Sequence, residues 1–403
     1  MNAARRYPIT IALIALVVVS AADPLPSLVD AVTGAPAADA ELIRPLAYVV
    51  IAPLSDVLDG LTFLSIERAC ALLAVWAVAL ALCGAWRAGT LTRRITRAVV
   101  GPLLLLAVVA ATVVLPRPVA RLVATDSALT VIDYHAHTEA SHDGRPGWTA
   151  LDLARWHAAQ GFAASYVTDH NRVFDGRVDD PINLQQGAEW SVSGQHVLAL
   201  GQLTPIDRDP YNRDTRSMLG VFAELHRRGA LTIASIPEYW RNHWEDLDAF
   251  IKAGVDGFEI VNCAPKAIGF PDQARARVVA LAQQHDLLLI GGSDNHGWGK
   301  ATCMWNVASP GHHGYAANHV LARPLALLQG RWKPWTAAFT QPWFMLRSLT
   351  WPERVSWLTW IFVVFIYRAV PRREGDPGGI GILARSLSLK VLRLRRPTPP
   401  PAP

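Results

Sequence analysis

The chain has 403 residues and a formal net charge of +5, with 51% hydrophobic residues and only 18% charged ones. Soluble domains carry about 25% charged residues, so this composition argues against an ordinary soluble protein and favours a domain joined to membrane segments. The basic residues cluster at 87–97 and 368–396 beside apolar runs, which disfavours a nucleic-acid-binding surface. The 4 cysteines include no Cys-x-x-Cys pair, which excludes a zinc finger.

Four apolar runs are candidate membrane-spanning helices. The second and third are long enough to span, whereas the first and last must borrow flanking residues. The first follows Arg5 and Arg6 and also fits a cleavable signal peptide, but we expect an uncleaved anchor because further spans follow. The runs occupy residues 9–22, 69–86, 98–115 and 355–370.

The basic residues beside these runs predict the topology. Placing every arginine cluster in the cytoplasm requires crossings at the four runs only, so residues 116–354 lie outside the cytoplasm. A weaker apolar segment at 46–64 contains Asp56 and Asp59, which cost roughly 2.5–3.5 kcal/mol each at mid-membrane. We read it as a surface or interfacial helix, and we expect an integral cell-membrane protein with an extracytoplasmic polar domain.

Three regions follow from this reading. Residues 1–125 form a membrane region with about three spans, residues 126–330 form the polar domain, and residues 331–403 hold an aromatic segment, the last span and a basic, proline-rich tail. We expect the tail to be disordered because its composition cannot bury a core. Cys263 and Cys303 could form a disulfide if the polar domain faces an oxidising compartment.

The polar domain alternates short apolar strands with amphipathic helices, the rhythm of an α/β fold. Thr149 and Asp152 make an N-cap pair for the first helix, and Pro271 suits the first turn of the last. Strands are predicted at 129–134, 162–168, 186–192, 196–200, 231–236, 257–261 and 287–290, and helices at 149–160, 215–228 and 271–284. About seven alternations indicate a barrel-like fold with its chemistry at the carboxyl ends of the strands.

Those strand ends carry histidines and carboxylates. His135 and His137 are two residues apart and should share a face, as should Asp294 and His296. Each motif alone fits a satisfied core histidine, a polar turn or a surface residue, but five strand ends together indicate a metal site. Imidazole mixed with carboxylate suits zinc, manganese or iron better than calcium. The other candidates are His170, preceded by Asp169, then Glu189 and His196.

In this order the motifs resemble the PHP (polymerase and histidinol phosphatase) family of metal-dependent phosphoesterases. The resemblance covers about residues 130–300 and includes His135-x-His137, Thr-Asp169-His170-Asn, Gly-x-Glu189, His196-Val-Leu, Asp256-Gly-Phe-Glu259 and Gly-Gly-Ser-Asp294-x-His296. It implies a distorted seven-stranded (β/α) barrel, flanked here by transmembrane helices, that binds two or three divalent ions.

The resemblance also implies how the ligands divide. The first ion would take His135, His137, Glu189 and Asp294, and Glu189 would bridge to a second ion that also takes His196. The third ion would take His170, His296 and either Asp143 or His142, of which we prefer Asp143. Asp133 and Asp169 are expected to orient these ligands from behind.

One position departs from the family pattern. A metal-binding histidine followed by proline is expected after the middle strand, and this chain has Ile236 before Pro237. An isoleucine cannot ligate a metal, so the second site is weakened or is completed by a neighbour such as Glu238 or His243.

The leading hypothesis is a membrane-anchored phosphoesterase in which a metal-activated hydroxide hydrolyses a small phosphorylated substrate. Glu189, Asp294 and His170 are the catalytic candidates, and Arg172, Arg241 and Lys300 are candidates for binding the phosphate. The alternative is a degenerate domain that binds metal or phosphate as a sensory module. A transporter is disfavoured because the spans carry few ionisable residues. The sequence does not determine the substrate or the oligomeric state.

Overall fold

A computed structural model describes residues 7–369 apart from 87–88, 177, 202–203, 243–245, 300, 312–313 and 332, and the proposed tail lies outside it. The fold is mixed α/β, with one curled sheet of ten strands and a separate two-stranded sheet. The strands are β1 Val29–Asp30, β2 Ala40–Ile43, β3 Arg121–Ala124, β4 Thr130–Asp133, β5 Ala164–Val167, β6 Asn183–Val192, β7 Gln195–Leu200, β8 Leu231–Ser235, β9 Gly257–Asn262, β10 Leu288–Gly292, β11 Met304–Gly311 and β12 Gly314–Ala322.

All seven strands predicted for the polar domain are present, as β4 to β10, and they follow one another in the sheet. β4–β5–β6 and β8–β9–β10 pair in parallel, but β7 pairs antiparallel with both of its neighbours. Ser193 and Gly194 join β6 to β7 in a two-residue turn with positive φ at both positions, the geometry that suits a tight hairpin. This hairpin departs from the strand–helix alternation expected of a (β/α) barrel.

The expectation of a seven-stranded barrel needs correction, because the sheet contains ten strands and forms a curled half-barrel. β11, β12 and β1 extend it beyond β4, through antiparallel pairs that the spacing of the other strands did not reveal. Asn306 of β11 bridges β4 and β10, which are not neighbours in the order of the sheet. Its side chain donates to the carbonyls of Ile132 and Gly291 and accepts from the N–H of Gly291 at 2.7 Å.

The helices are α1 Pro8–Val19, α2 Leu46–Val50, α3 Ala52–Thr62, α4 Ile66–Trp86, α5 Leu91–Val114, α6 Ala150–Ala159, α7 Thr215–Met218, α8 Gly220–Arg227, α9 Ile236–Tyr239, α10 Leu247–Lys252, α11 Asp272–Gln284, α12 Pro324–Leu327, α13 Ala337–Arg347 and α14 Trp351–Ala369. The capping box of Thr149 and Asp152 begins α6 as predicted. The helix predicted at 215–228 is divided into α7 and α8, and Pro271 is the N-cap of α11 rather than part of its first turn.

Two helices, α4 and residues 91–111 of α5, are long and apolar enough to cross a membrane. Only 11% of the apolar window in α4 is buried, and none of that in α5, so neither is the core helix of a globular domain. α1 is apolar but shorter, and α14 begins with buried Glu353 and Arg354.

Residues 46–64 fold as the short helices α2 and α3, each too short to cross a bilayer. The carboxyl groups of Asp56 and Asp59 are buried and hydrogen-bonded, and Asp59 is also paired with arginines. The Tyr48 hydroxyl lies 3.0 Å from an oxygen of each, Arg323 lies 3.2 Å from Asp59, and Trp357 of α14 donates to Asp56 at 2.8 Å. This network hydrogen-bonds both carboxyl groups inside the protein and joins α3 to Arg323, directly after β12, and to α14.

Cys263 and Cys303 form a disulfide, the pairing that the sequence left open. It connects the segment after β9 to the start of β11, with Cα atoms 5.6 Å apart and a sequence separation of 40. Cys70 and Cys83 on α4 are free and exposed.

Replacing Cys263 and Cys303 by serine should lower the free energy of unfolding by about 3–4 kcal/mol. The disulfide joins residues with a sequence separation of 40, and without it this loop gains conformational entropy in the unfolded chain. Urea unfolding of the detergent-solubilised protein measures this loss. Serine at Cys70 and Cys83 is the matched control, and an equal loss there would contradict a specific role for the disulfide.

Candidate metal centre

Two histidines follow β4 in an extended segment at one end of the curled sheet. His135 and His137 are two residues apart and project to the same side, as their spacing predicts. Both side chains are fully buried, and their Nε2 atoms are 3.0 Å apart. Two imidazoles that converge in this way can offer lone pairs to one cation.

Asp294 joins these histidines. Its backbone is left-handed after β10 (φ 47°), and its N–H donates to the carbonyl of His135. Asp294 Oδ1 lies 3.1 Å from His137 Nε2 and 3.5 Å from His135 Nε2. Gly292 allows this approach, because a Cβ at that position would overlap His135 and the Glu259 carboxylate.

Glu189 of β6 lies at the centre of the cluster and is 1% exposed. Its Oε1 is 2.7 Å from His196 Nδ1 and 3.3 Å from His135 Nε2. Its Oε2 is 2.9 Å from His170 Nδ1 and 3.4 Å from His137 Nε2. One carboxylate therefore contacts four imidazoles, two on each oxygen.

Asp143, His170 and His296 form a more open group. Asp143 Oδ1 lies 3.1 Å from His296 Nε2 and 3.5 Å from His170 Nε2. The side chain of Asp143 is 41% exposed, while His142 is 79% exposed and 3.9 Å from Asp143. This geometry favours Asp143 over His142, although Nδ1 or Nε2 of His142 stays within 4.8 Å of Asp143 and His170.

The buried ligand atoms fit a cation better than they fit one another. Among the described residues, five buried atoms of this cluster have no aligned hydrogen bond, although each lies within 3.5 Å of an oppositely polarised atom. Leaving such atoms unsatisfied costs about 1–3 kcal/mol each, and a divalent cation would satisfy them together. The atoms are His170 Nδ1, Glu189 Oε1 and Oε2, His196 Nδ1 and Asp294 Oδ1. Mixed nitrogen and oxygen donors of this kind suit zinc, manganese or iron.

The electrostatic environment sets the protonation state of the same ligand groups. Burial, and then the charge of His296, lowers the pKa of His137 to about 3, so its imidazole is neutral. Burial raises the pKa of Glu189, but His196 and His135 outweigh it and lower that pKa well below its usual value. Glu189 is therefore ionised.

His170 holds a proton in the metal-free site. Burial lowers its pKa, but the neighbouring carboxylates of Asp143 and Glu189 outweigh this effect and raise the pKa to about 10. A bound cation would take the place of that proton.

Glu259 of β9 is a supporting residue that was not among the predicted site residues. It is fully buried, and its Oε1 lies 3.0 Å from His135 Nδ1, while Ser235 donates to its other oxygen. Asn262 donates to both Asp294 and Glu259. The sequence signal was the Asp-Gly-Phe-Glu motif, but only the fold shows that its carboxylate fixes the ring of His135.

Asp133 and Asp169 support different parts of the ligand cluster. Asp133 accepts the backbone N–H groups of His135 and Ser293 and lies 2.8 Å from the buried His157, so it joins the ends of β4 and β10. Asp169 accepts from Ser141 Oγ, which lies 2.9 Å from His137 Nδ1. Asp169 therefore reaches the ligands through a serine.

The predicted phosphate-binding residues lie in less constrained places. Arg172 is exposed and lines a cavity of about 420 Å³ with Thr138, Asp169 and Phe174. The guanidinium of Arg241 packs over the ring of Trp240 at 4.9 Å. Lys300 lies outside the described residues, and a substrate role for these three stays a prediction.

Ile236 is 2% exposed and packs in the apolar core at the start of α9. Two residues that follow it reach His196 instead. Glu238 Oε2 lies 3.5 Å from His196 Nδ1, and the Tyr239 hydroxyl lies 3.1 Å from His196 Nε2. His243 lies outside the described residues.

Comparison with known proteins gives no matching family model and no matching curated protein. A solved protein assigned as a metal-dependent phosphoesterase from Bifidobacterium adolescentis is 18% identical, at a TM-score of 0.33, over 46% of this chain and 92% of that one. PsfC from Pseudomonas syringae is 19% identical, at a TM-score of 0.38, and the match covers 50% of this chain and 94% of PsfC. An amidohydrolase from Chromobacterium violaceum, solved with bound sulfate and no metal, is 17% identical, at a TM-score of 0.30. That match covers 41% of this chain and 87% of the amidohydrolase. Likenesses this distant support no inference about activity.

Glu259→Gln should weaken binding of the first metal ion by about 10–100-fold, because the neutral amide holds and polarises His135 less well than the carboxylate does. Competition with a metal chelator, read by elemental analysis, measures the change. Exposed Glu41→Gln is the control, and unchanged affinity in Glu259→Gln would show that His135 needs no such support.

Proposed function

We propose that the polar domain is a metal-dependent hydrolase that cleaves a phosphate ester. The observation that carries this proposal is the position of Glu189, whose two oxygens each face two imidazoles in a buried site. A carboxylate shared in this way is suited to hold two cations close together. Such a pair, when bound, lowers the pKa of water and stabilises the charge that develops on a phosphoryl group.

We assign the ligands to three ions by their positions in the cluster. His135, His137 and Asp294 would hold the first ion at the buried end, and His196 would join Glu189 at the second. His170, His296 and Asp143 would hold a third ion where Asp143 opens to solvent. The substrate would enter on that open side, because the other ligands are buried by the sheet.

Recognition of the phosphate would then depend on basic side chains outside the ligand cluster. Arg172 on the rim of the cavity is the first candidate, and Arg241 and Lys300 are the others.

One observation favours a second candidate function, a degenerate module that binds metal or phosphate without turnover. Ile236 occupies the position of a ligand that the family resemblance leads one to expect. Metal binding without turnover of any phosphate ester would favour this second candidate.

We also propose that four apolar helices anchor the domain in the cell membrane, with residues 116–354 outside the cytoplasm. Support comes from the exposed apolar surfaces of α4 and α5 and from the arginine clusters beside the apolar runs. The disulfide of Cys263 and Cys303 fits the same placement, since such bonds persist in oxidising compartments.

Glu189→Ala and Asp294→Ala should each abolish metal-dependent phosphatase activity, because each change removes an anionic ligand from the buried site. Turnover of a panel of phosphate esters measures activity, and elemental analysis measures bound metal. His135→Ala with His137→Ala should lose most of the metal, while Glu41→Ala should keep both properties. Activity that survives Glu189→Ala, Asp294→Ala and chelation would contradict the proposal.

The topology is tested with reporter fusions. Alkaline phosphatase fused after Arg373, outside the described residues, should be inactive in intact cells because that end is expected in the cytoplasm. The same reporter fused after Ala124, beyond the third predicted span, should be active. Activity after Arg373 would contradict the topology.

A further inference from the structure

The second ion of the proposed centre has fewer protein ligands assigned to it than the first and the third ions have. Glu189 Oε1 and His196 Nδ1 are 2.7 Å apart, so they offer two donors to an ion. Ile236 packs in the apolar core and has no donor atom in its side chain. A ring nitrogen of His170 also lies within 4.8 Å of ligand atoms of Glu189 and His196, but His170 is assigned above to the third ion. With His170 placed there, a third donor would come from another side chain close to His196.

Glu238 is that close side chain. It lies in α9, directly after β8, and its side chain is 12% exposed. Its Oε2 is 3.5 Å from His196 Nδ1, the ring atom that also faces Glu189. Its other oxygen is 3.6 Å from the ammonium group of Lys266, whose side chain is 65% exposed.

Tyr239 approaches the opposite side of the same imidazole. Its hydroxyl lies 3.1 Å from His196 Nε2, and the two rings are 4.6 Å apart. When the hydroxyl accepts a hydrogen bond from Nε2–H, the lone pair of His196 stands on Nδ1. That lone pair faces the carboxylates of Glu189 and Glu238.

We propose that Glu238 is the third protein ligand of the second metal ion and that Tyr239 is the positioning residue for His196. This inference rests on the metal centre proposed above. A site of two carboxylates and one imidazole is richer in oxygen than a site with two histidines. It should therefore bind manganese well relative to zinc, because oxygen donors suit the harder ion.

The alternative role for Glu238 is a surface ion pair with Lys266. The two roles differ in what happens when Lys266 is replaced. A ligand keeps its function without the lysine, whereas a residue that serves only the ion pair is affected equally by loss of either partner.

The test uses the full chain in detergent, stripped of metal and titrated with manganese, with bound ions counted by elemental analysis after equilibrium dialysis. Glu238→Gln should lose one equivalent at a manganese concentration that saturates the unmodified chain. Tyr239→Phe should keep that equivalent but require about 10–100-fold more manganese to fill it. Lys266→Gln should titrate like the unmodified chain.

Glu238→His supplies a donor that tests the chemistry of the ligand. It should restore the equivalent and shift the preference of that site from manganese towards zinc. The inference is overturned if Glu238→Gln keeps every equivalent, or if Lys266→Gln loses the same one. An unmodified chain that binds no metal would overturn the proposed function as well, which distinguishes the two failures.

Discussion

The burial of one carboxylate among four imidazoles is the constraint on which the rest of the site depends. Glu189 is 1% exposed, and an ionised group at that depth is stable only when opposite charge or a cation faces it. The surrounding nitrogens lie 2.7–3.4 Å from its oxygens. Any change that moves one of the four rings therefore alters the environment of the shared carboxylate and of the other three.

The sheet supplies the precision that such a cluster needs. His135 follows β4 and Asp294 follows β10, two strands that are not neighbours in the sheet, and the residues meet because backbone hydrogen bonds join these two segments. Asp133 accepts backbone hydrogen bonds from both segments, and Asn306 donates to a carbonyl of β4 and a carbonyl of β10. Ligands on strand ends held in this way move less than ligands on free loops.

The reversal of β7 has a chemical consequence. Because β7 runs antiparallel to β6, its first residues lie beside the last residues of β6. His196 is the second residue of β7, and it therefore reaches Glu189 from the neighbouring strand. A helical crossover would have made β7 parallel to β6. The first residues of β7 would then lie beside the first residues of β6, at the end of the strands away from Glu189.

Local pattern was enough to locate β4 to β10 and the histidines at their ends, because strand alternation and turn residues are properties of neighbouring positions. The sequence also placed Glu189 and Asp294 among the ligands through the family resemblance. The roles given to those residues remain proposals, but the fold brings their atoms within 3.5 Å of the histidines.

Only the tertiary structure decided the features that join distant parts of the chain. Glu259 and His135 are 124 residues apart, and neither position signals the other. The addition of β1, β11 and β12, the bridge made by Asn306 and the approach of Tyr239 to His196 are of the same kind. Hydrophobic periodicity reports which face of an element is buried but not which element covers it, so these contacts become visible only when the sheet has curled.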